Sequence, residues 1–166
     1  MEDDQKKQAM ITALRSLTAG DKSEHDLHVK LKQKGFPEPV IQAVFAQLKA
    51  EGFLSDQVFA QKLAGRILQG KRAGTHKLAF ELKKRRIPES IRKTVLDAVD
   101  PEEQRLQAFE IASLKISSFR DTDPRILRKK LYDFLIRKGY DFQLAQEASQ
   151  TVVSKLKSGQ IPDEND

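Results

Sequence analysis

At 166 residues the chain is long enough for one or two domains with a buried core, and 33% charged against 39% hydrophobic residues fits a soluble, helix-leaning protein. Cysteine is absent, which excludes a disulfide framework, a thiolate zinc site and a cysteine nucleophile. No apolar run approaches the roughly 18 residues of a membrane span, and Glu2, Asp3 and Asp4 do not suit a signal peptide, so no membrane association and a cytoplasmic location are expected.

The net charge of +6 is unevenly spread. Residues 62–93 hold eleven Lys and Arg against Glu81 and Glu89 alone, a local excess of +9. Residues 120–139 hold seven against three Asp, an excess of +4, and the remaining segments are net acidic. Such segregation points to an electrostatic footprint for an acidic partner; solvated helix faces are the plainer alternative.

Taken in order, residues 5–17 carry Ile11, Leu14 and Leu17 at three-residue spacing, which predicts an amphipathic helix broken at Gly20. Ser23 is an N-cap candidate with Asp26 three residues on, and the helix bearing Leu27 and Leu31 is expected to close at Gly35. Pro37 is expected in the first turn of a third helix, through Val40, Ile41, Val44, Phe45 and Leu48 to Gly52. Asp56 is the predicted cap of a helix carrying Phe59, Leu63 and Ile67. Gly70 to Gly74 then leads into a helix with Leu78 and Leu82, closed by Lys83, Lys84, Arg85 and Arg86. Asp100 with Pro101, and Asp123 with Pro124, predict two further helix starts, the first of which opens a helix around Leu106, Phe109 and Ile116.

A repeat runs through this pattern. With Phe36, Ile87 and Tyr140 aligned, Leu27, Leu78 and Leu131 stand nine residues upstream and Leu31, Leu82 and Leu135 five upstream. Val40, Ile91 and Leu144 stand four downstream, followed by Val44, Val95 and Ala148, then Leu48, Val99 and Val152. Three divergent copies of a three-helix unit account for this register, over residues 5–52, 53–99 and 100–157. The linkers are short, so the copies are expected to pack as one array; the polar, acidic tail 158–166 is expected to be disordered.

No catalytic constellation is legible. His25 and His28 lie three apart, but no further His or Cys completes a zinc site, and they read as surface histidines. The stretch from Gly70 to Gly74 lacks the spacing of a phosphate-binding P-loop. No enzyme, no cofactor and no metal are therefore expected. The basic residues carry more information. Arg85 and Arg86 suit the negative end of a helix, whereas Lys71 and Arg72 enter that helix at the end where the dipole disfavours cations. Phe36, Phe45, Phe53, Phe59, Phe80, Phe109, Phe134 and Tyr140 fall mainly on apolar stripes and read as core rather than as base-stacking platforms.

The central stretch resembles the RecX family of bacterial regulators of the RecA recombinase, through Gly52, Leu54, Asp56, Phe59, Ala60, Arg66, Gly70, Gly74, Leu78, Glu81, Leu82 and Ile87. Ser23, Glu24, Leu27, Leu31, Gly35 and Phe36 look like the family's first-repeat signature. Leu131, Phe134, Leu135, Arg137, Gly139 and Tyr140 look like its third. Two positions depart: Phe59 where Tyr is common, and Arg86 where Gly is common. The resemblance implies an all-α fold of three tandem three-helix repeats in an elongated, curved array. It further implies binding in the groove of the RecA–DNA filament and restraint of its ATPase and strand exchange. Charge placement then selects Arg66, Lys71, Arg72, Lys83, Lys84 and Arg85 as a central contact set, with Arg128 and Lys129 as an outer one. An alternative is a sequence-nonspecific DNA-binding protein of tandem helix-turn-helix-like units, on single- or double-stranded DNA, with no obligatory protein partner. Nothing demands a dimer, and a monomer is expected.

Overall fold

The computed structural model describes residues 2–120 and 123–159. Among them are nine α-helices, one π-helical turn and no strand. The helices are α1 (Glu2–Thr18), α2 (Glu24–Gln33), α3 (Glu38–Ala50), α4 (Asp56–Gly65), α5 (Thr75–Lys84), α6 (Glu89–Asp97), α7 (Pro101–Ile116), α8 (Pro124–Lys138) and α9 (Phe142–Lys157), with the π-turn at Arg66–Gly70. The expected disordered tail, 158–166, lies outside the described residues from 160 onward.

The local chemistry predicted at the helix ends is largely present. Ser23 Oγ accepts from the Asp26 amide, Asp100 from Glu102 and Asp123 from Arg125, each satisfying an amide that the helix itself cannot. Four helices end in the same two-bond turn. Gly35 and Phe36 donate to the carbonyls of Lys32 and Leu31, Gly52 and Phe53 to Lys49 and Leu48, Arg86 and Ile87 to Lys83 and Leu82, and Gly139 and Tyr140 to Ile136 and Leu135. This turn needs a left-handed residue, with φ of +85° at Gly35, +76° at Gly52, +91° at Gly139 and +53° at Arg86. Arg86 therefore keeps the geometry that glycine supports at the other three positions, against a left-handed penalty of about 1 kcal/mol. Pro37 stands one residue outside its predicted place, as the N-cap of α3, and Pro39 occupies the first turn.

The described residues fall into two compact units, Met1–Leu63 with Glu81–Thr94, and Ala64–Phe80 with Val95–Asp166. In the first, α1 lies against α2 and α3 around Leu27, Leu31, Ile41, Val44, Phe45 and Leu48. The face α1 buries is Ala9, Ala13 and Ser16 rather than the predicted Ile11, Leu14 and Leu17; Ile11 is exposed and the two leucines sit at the edge. Small residues allow α1 to approach its neighbours closely, and the larger side chains are displaced to the rim.

Asp56 also departs from expectation. The cap of α4 is Ser55, whose Oγ accepts from the Val58 amide at 3.3 Å. Asp56, 8% exposed, instead accepts the Glu24 amide at 2.9 Å and so closes the N-terminus of α2 from a distance of 32 residues. Burial raises its carboxyl pKa, partly offset by that same hydrogen bond.

In the second unit, α7, α8 and α9 pack around Ala108, Ile111, Ala112, Ile116, Leu127, Leu131, Leu135, Ala148 and Val152. The start of α5 docks on the end of α8. The Gly74 amide donates to the Lys138 carbonyl at 2.9 Å and the His76 amide to the Gly139 carbonyl at 3.0 Å. The positive end of one helix thus meets the negative end of another, and orphan donors and acceptors satisfy each other. A side chain at Gly74 would land on the Gly139 carbonyl and the Tyr140 amide, backbone groups that cannot move aside.

Two outcomes follow from these contacts. Gly74→Ala is expected to destabilise the protein by about 1–3 kcal/mol in denaturant unfolding, as overpacking does. At Asp56, replacement by Ala is expected to cost about 1–2 kcal/mol, because the Glu24 amide loses its acceptor. Asp56→Asn keeps an acceptor and removes a buried charge, so it should match or slightly exceed the native chain at neutral pH. The native carboxyl binds its proton more tightly folded than unfolded, so the native chain should gain on Asp56→Asn as pH falls through the raised pKa. Unfolding curves at neutral and mildly acidic pH measure both.

Candidate basic interface

The sequence-predicted contact residues are distributed over both compact units. Lys83 and Lys84 end α5 in the first unit and are exposed. With Arg86, Ile87 and Arg92 they line an open cleft of about 520 Å³, and no acidic residue is among that lining. Arg85 turns the other way. Its guanidinium lies 3.0 Å from the Asp26 carboxylate and over the Phe59 ring, 6.0 Å from the centroid, with 35% of the side chain exposed. It therefore anchors α2 through Asp26.

In the second unit, Arg66 is exposed on the π-turn, and Lys71 and Arg72 follow in a loop that is held at several points. The Lys71 amide donates to Arg66, the Ala73 amide to Ile67, and the Lys138 ammonium to the Lys71 carbonyl at 2.9 Å. The Tyr140 hydroxyl lies 3.1 Å from the Arg72 carbonyl and 2.9 Å from Gln107 Oε1. Burial pushes the Tyr140 pKa up to about 12, so the phenol remains a neutral donor across physiological pH. Arg72 has φ +46°, and its guanidinium pairs with Glu110 at 3.2 Å on the surface. The side chains of Lys71 and Arg72 thus stand out from a backbone tethered beneath them. On α8, Arg128 and Lys129 are exposed, with Lys129 at 3.6 Å from Asp133.

Sequence reasoning missed Arg92 and the placing of Lys138 beside Lys71. It also took Phe53 and Phe80 for core, whereas they are 59% and 64% exposed. Amphipathic spacing marks a stripe but does not fix which edge of it the neighbours cover. Among the described residues, no group of three or more His, Asp or Glu could hold a metal ion. His28 pairs with Glu38 at 2.9 Å, and Glu38 is held down at about 2 by hydrogen bonds from Gln42 and then His28. No helix among the described residues is long and apolar enough to cross a membrane. The arrangement suits charge-assisted binding of anions.

Comparison with known proteins agrees with the fold. Residues 9–48 match the first three-helix domain of RecX. The chain is 32% identical to the regulatory protein RecX of Mycobacterium avium (strain 104) over 152 residues, covering 88% of this chain and 85% of that one. It is 31% identical to that of Chlorobium phaeobacteroides (strain BS1) over 147 residues, covering 89% and 95%. The regulatory protein RecX of Clostridium perfringens (strain 13) is 29% identical over 151 residues, 90% of this chain and 68% of the relative. The crystal structure of RecX from Lactobacillus salivarius superposes with a TM-score of 0.81 over 90% of this chain and 97% of that one, at 17% identity, which shows a shared fold. A second crystal structure, of a regulatory protein RecX, gives 0.79 over 88% and 73% at 22% identity. With a common helical fold and identity above 30% across nearly the full length of two relatives, the chain belongs to the RecX family of regulatory proteins.

Proposed function

We propose that this protein regulates the RecA recombinase, mainly as an inhibitor, by lying on the RecA–DNA filament through its basic faces and restraining ATP hydrolysis and strand exchange. Family membership supports the regulatory role. The observation that carries the filament reading is the segregation of charge onto rooted positions. Lys71 and Arg72 project from a loop whose backbone is tied to Lys138 and Tyr140, and Lys83 and Lys84 line a cleft without acidic lining. A tethered loop backbone lowers the ordering cost of binding at Lys71 and Arg72, which favours an extended acidic surface over casual counterion contact. In this reading Arg66, Lys71, Arg72, Lys83, Lys84, Arg128 and Lys129 touch the filament, and Arg85 holds α2 in place. The three-helix repeats 5–52, 53–99 and 100–157 are the units that present them.

The competing reading is nonspecific DNA binding without the recombinase, favoured by the four cations, Lys83, Lys84, Arg86 and Arg92, that line the cleft beside Ile87. One titration separates the two. DNA-stimulated ATP hydrolysis by a recombinase filament is expected to fall at protein concentrations well below those that coat the DNA. Lys71→Glu with Arg72→Glu is expected to weaken that inhibition at least tenfold, with helicity by circular dichroism unchanged. Because Arg72→Glu also sets a carboxylate beside Glu110, the Lys71→Ala, Arg72→Ala pair serves as control and should weaken inhibition in the same direction. Inhibition only at DNA-saturating concentration, or undiminished in both pairs, would falsify the filament reading.

A further inference from the structure

Helices α8 and α9 are joined by the short turn at residues 139–141, pack directly on each other and span 15 and 16 residues, so the end of α9 returns to the start of α8. Leu156 near that end and Phe119, ahead of α8, are half-buried against the same core. The Asp123 carboxyl that caps α8 is held below its usual range first by the Arg125 amide and guanidinium and, more weakly, by the charge of Lys157. Two basic patches meet here. Arg125, Arg128 and Lys129 are exposed on one face of α8 at spacings of three and four residues, and Lys155 and Lys157 are exposed in the last turn of α9. Residues 123–133 and 155–157 together carry six Lys and Arg against Asp123 and Asp133, an excess of +4. Asp123 and Asp133 lie 3.4 and 3.6 Å from Arg125 and Lys129, whose side chains are 84% and 80% exposed, so these contacts leave most of each cation in water.

The chain leaves α9 at this same end. Gly159, with φ +71°, donates to the Leu156 carbonyl and turns the backbone off the helix axis, and residues 160–166 that follow carry Asp163, Glu164 and Asp166 and no cation. We propose that segment 160–166 docks across the first two turns of α8 and covers Arg125, Arg128 and Lys129, so that the outer basic set is held by the chain's own carboxylates until a more acidic partner displaces them. Reach and charge both fit. Asp163 stands four residues past Gly159 and extends to about 14 Å, whereas Lys129 lies about 9 Å along α8 from Asp123. Lys138, which holds the Lys71 loop, lies about 22 Å from Asp123, so Asp163 and Glu164 command the outer set and not Lys71 and Arg72. Each carboxylate–cation pair at such a surface is weak, but tethering supplies about 1 mM of effective concentration. A segment that would bind in trans at about 0.5 mM then covers the face about two-thirds of the time and weakens a competing ligand about threefold. The docking stands on charge and geometry alone; its effect on partner binding rests on the filament reading.

Paramagnetic relaxation tests the docking without recombinase. The chain has no cysteine, so a nitroxide on Asn165→Cys is unique and removes no charge from the segment. At about 0.1 M salt the amides of residues 125–129 should show about twice the relaxation enhancement, or more, of the same labelled chain carrying Asp163→Asn, Glu164→Gln and Asp166→Asn. At about 1 M salt, where the screening length falls to about 3 Å, the two chains should coincide, and the amides of residues 136–138 should be alike throughout. Equal enhancement at residues 125–129 in both chains at the lower salt overturns the docking. The second arm titrates DNA-stimulated ATP hydrolysis by the recombinase filament. A chain ending at Gly159 should inhibit at about threefold lower concentration than the native chain. With Arg128→Gln and Lys129→Gln in both chains that gain should disappear, because it comes from uncovering these two cations rather than from net charge. Docking without the gain, or the same gain in the Arg128→Gln, Lys129→Gln background, overturns the restraint on the outer set. Absence of inhibition by the native chain below DNA-saturating concentration defeats the filament reading, while the relaxation data still decide the docking.

Discussion

The end of α8 serves as the cap of α5, and the second compact unit depends on that contact. A helix leaves its first amides and last carbonyls without partners, and burying either without compensation costs about 1–3 kcal/mol per group. Here the carbonyls of Lys138 and Gly139 receive the amides of Gly74 and His76, so two helix ends separated by more than 60 residues satisfy each other. The contact is possible only because both facing positions lack a side chain: Gly74 abuts the Gly139 backbone, and Gly139 abuts Lys77. Tyr140, buried next to it, adds a hydroxyl that reaches the Arg72 carbonyl. What looks like a flexible Gly70 to Gly74 stretch is therefore a fixed support for two projecting cations.

The first unit is organised by an equally nonlocal arrangement. Asp56 closes α2 from the start of α4, and Arg85 reaches Asp26 on the same helix. The basic run 83–86 is consequently divided in purpose. Arg85 is a partly buried ion-pair partner whose removal would leave Asp26 uncompensated, whereas Lys83, Lys84 and Arg86 face solvent. Counting charges along the chain gives the strength of the field but not which charges a partner can reach. For a protein of a regulatory family this distinction decides which substitutions weaken binding and which only weaken the fold.

Much of the helical plan was legible because its determinants are local. The N-caps at Ser23, Asp100 and Asp123, and the turn at Gly35, are set by a few neighbouring residues and lie where the spacing placed them. The register linking Leu27, Leu78 and Leu131 was legible for the same reason: all three are fully buried. What escaped was set by distant partners. Asp56 looked like the cap of its own helix because nothing in its neighbourhood reveals the Glu24 amide. Phe80 looked like core because a stripe two residues wide does not say where the neighbouring helix stops. Gly74 looked like a loop glycine, although its role is to let Gly139 approach. At the candidate interface, Lys71, Lys83 and Lys84 were selected from charge alone and stand exposed, whereas Arg92 joins the cleft only through the fold.

Amide hydrogen exchange at Gly74 and His76 tests the helix-end contact most directly. If the carbonyls of Lys138 and Gly139 hold these amides, both should exchange with protection comparable to amides in the middle of α8, and should lose it together when α8 opens. Exchange at both positions at the rate of an unprotected loop, while the middle of α8 stays protected, would contradict the account and leave Lys71 and Arg72 on a free segment.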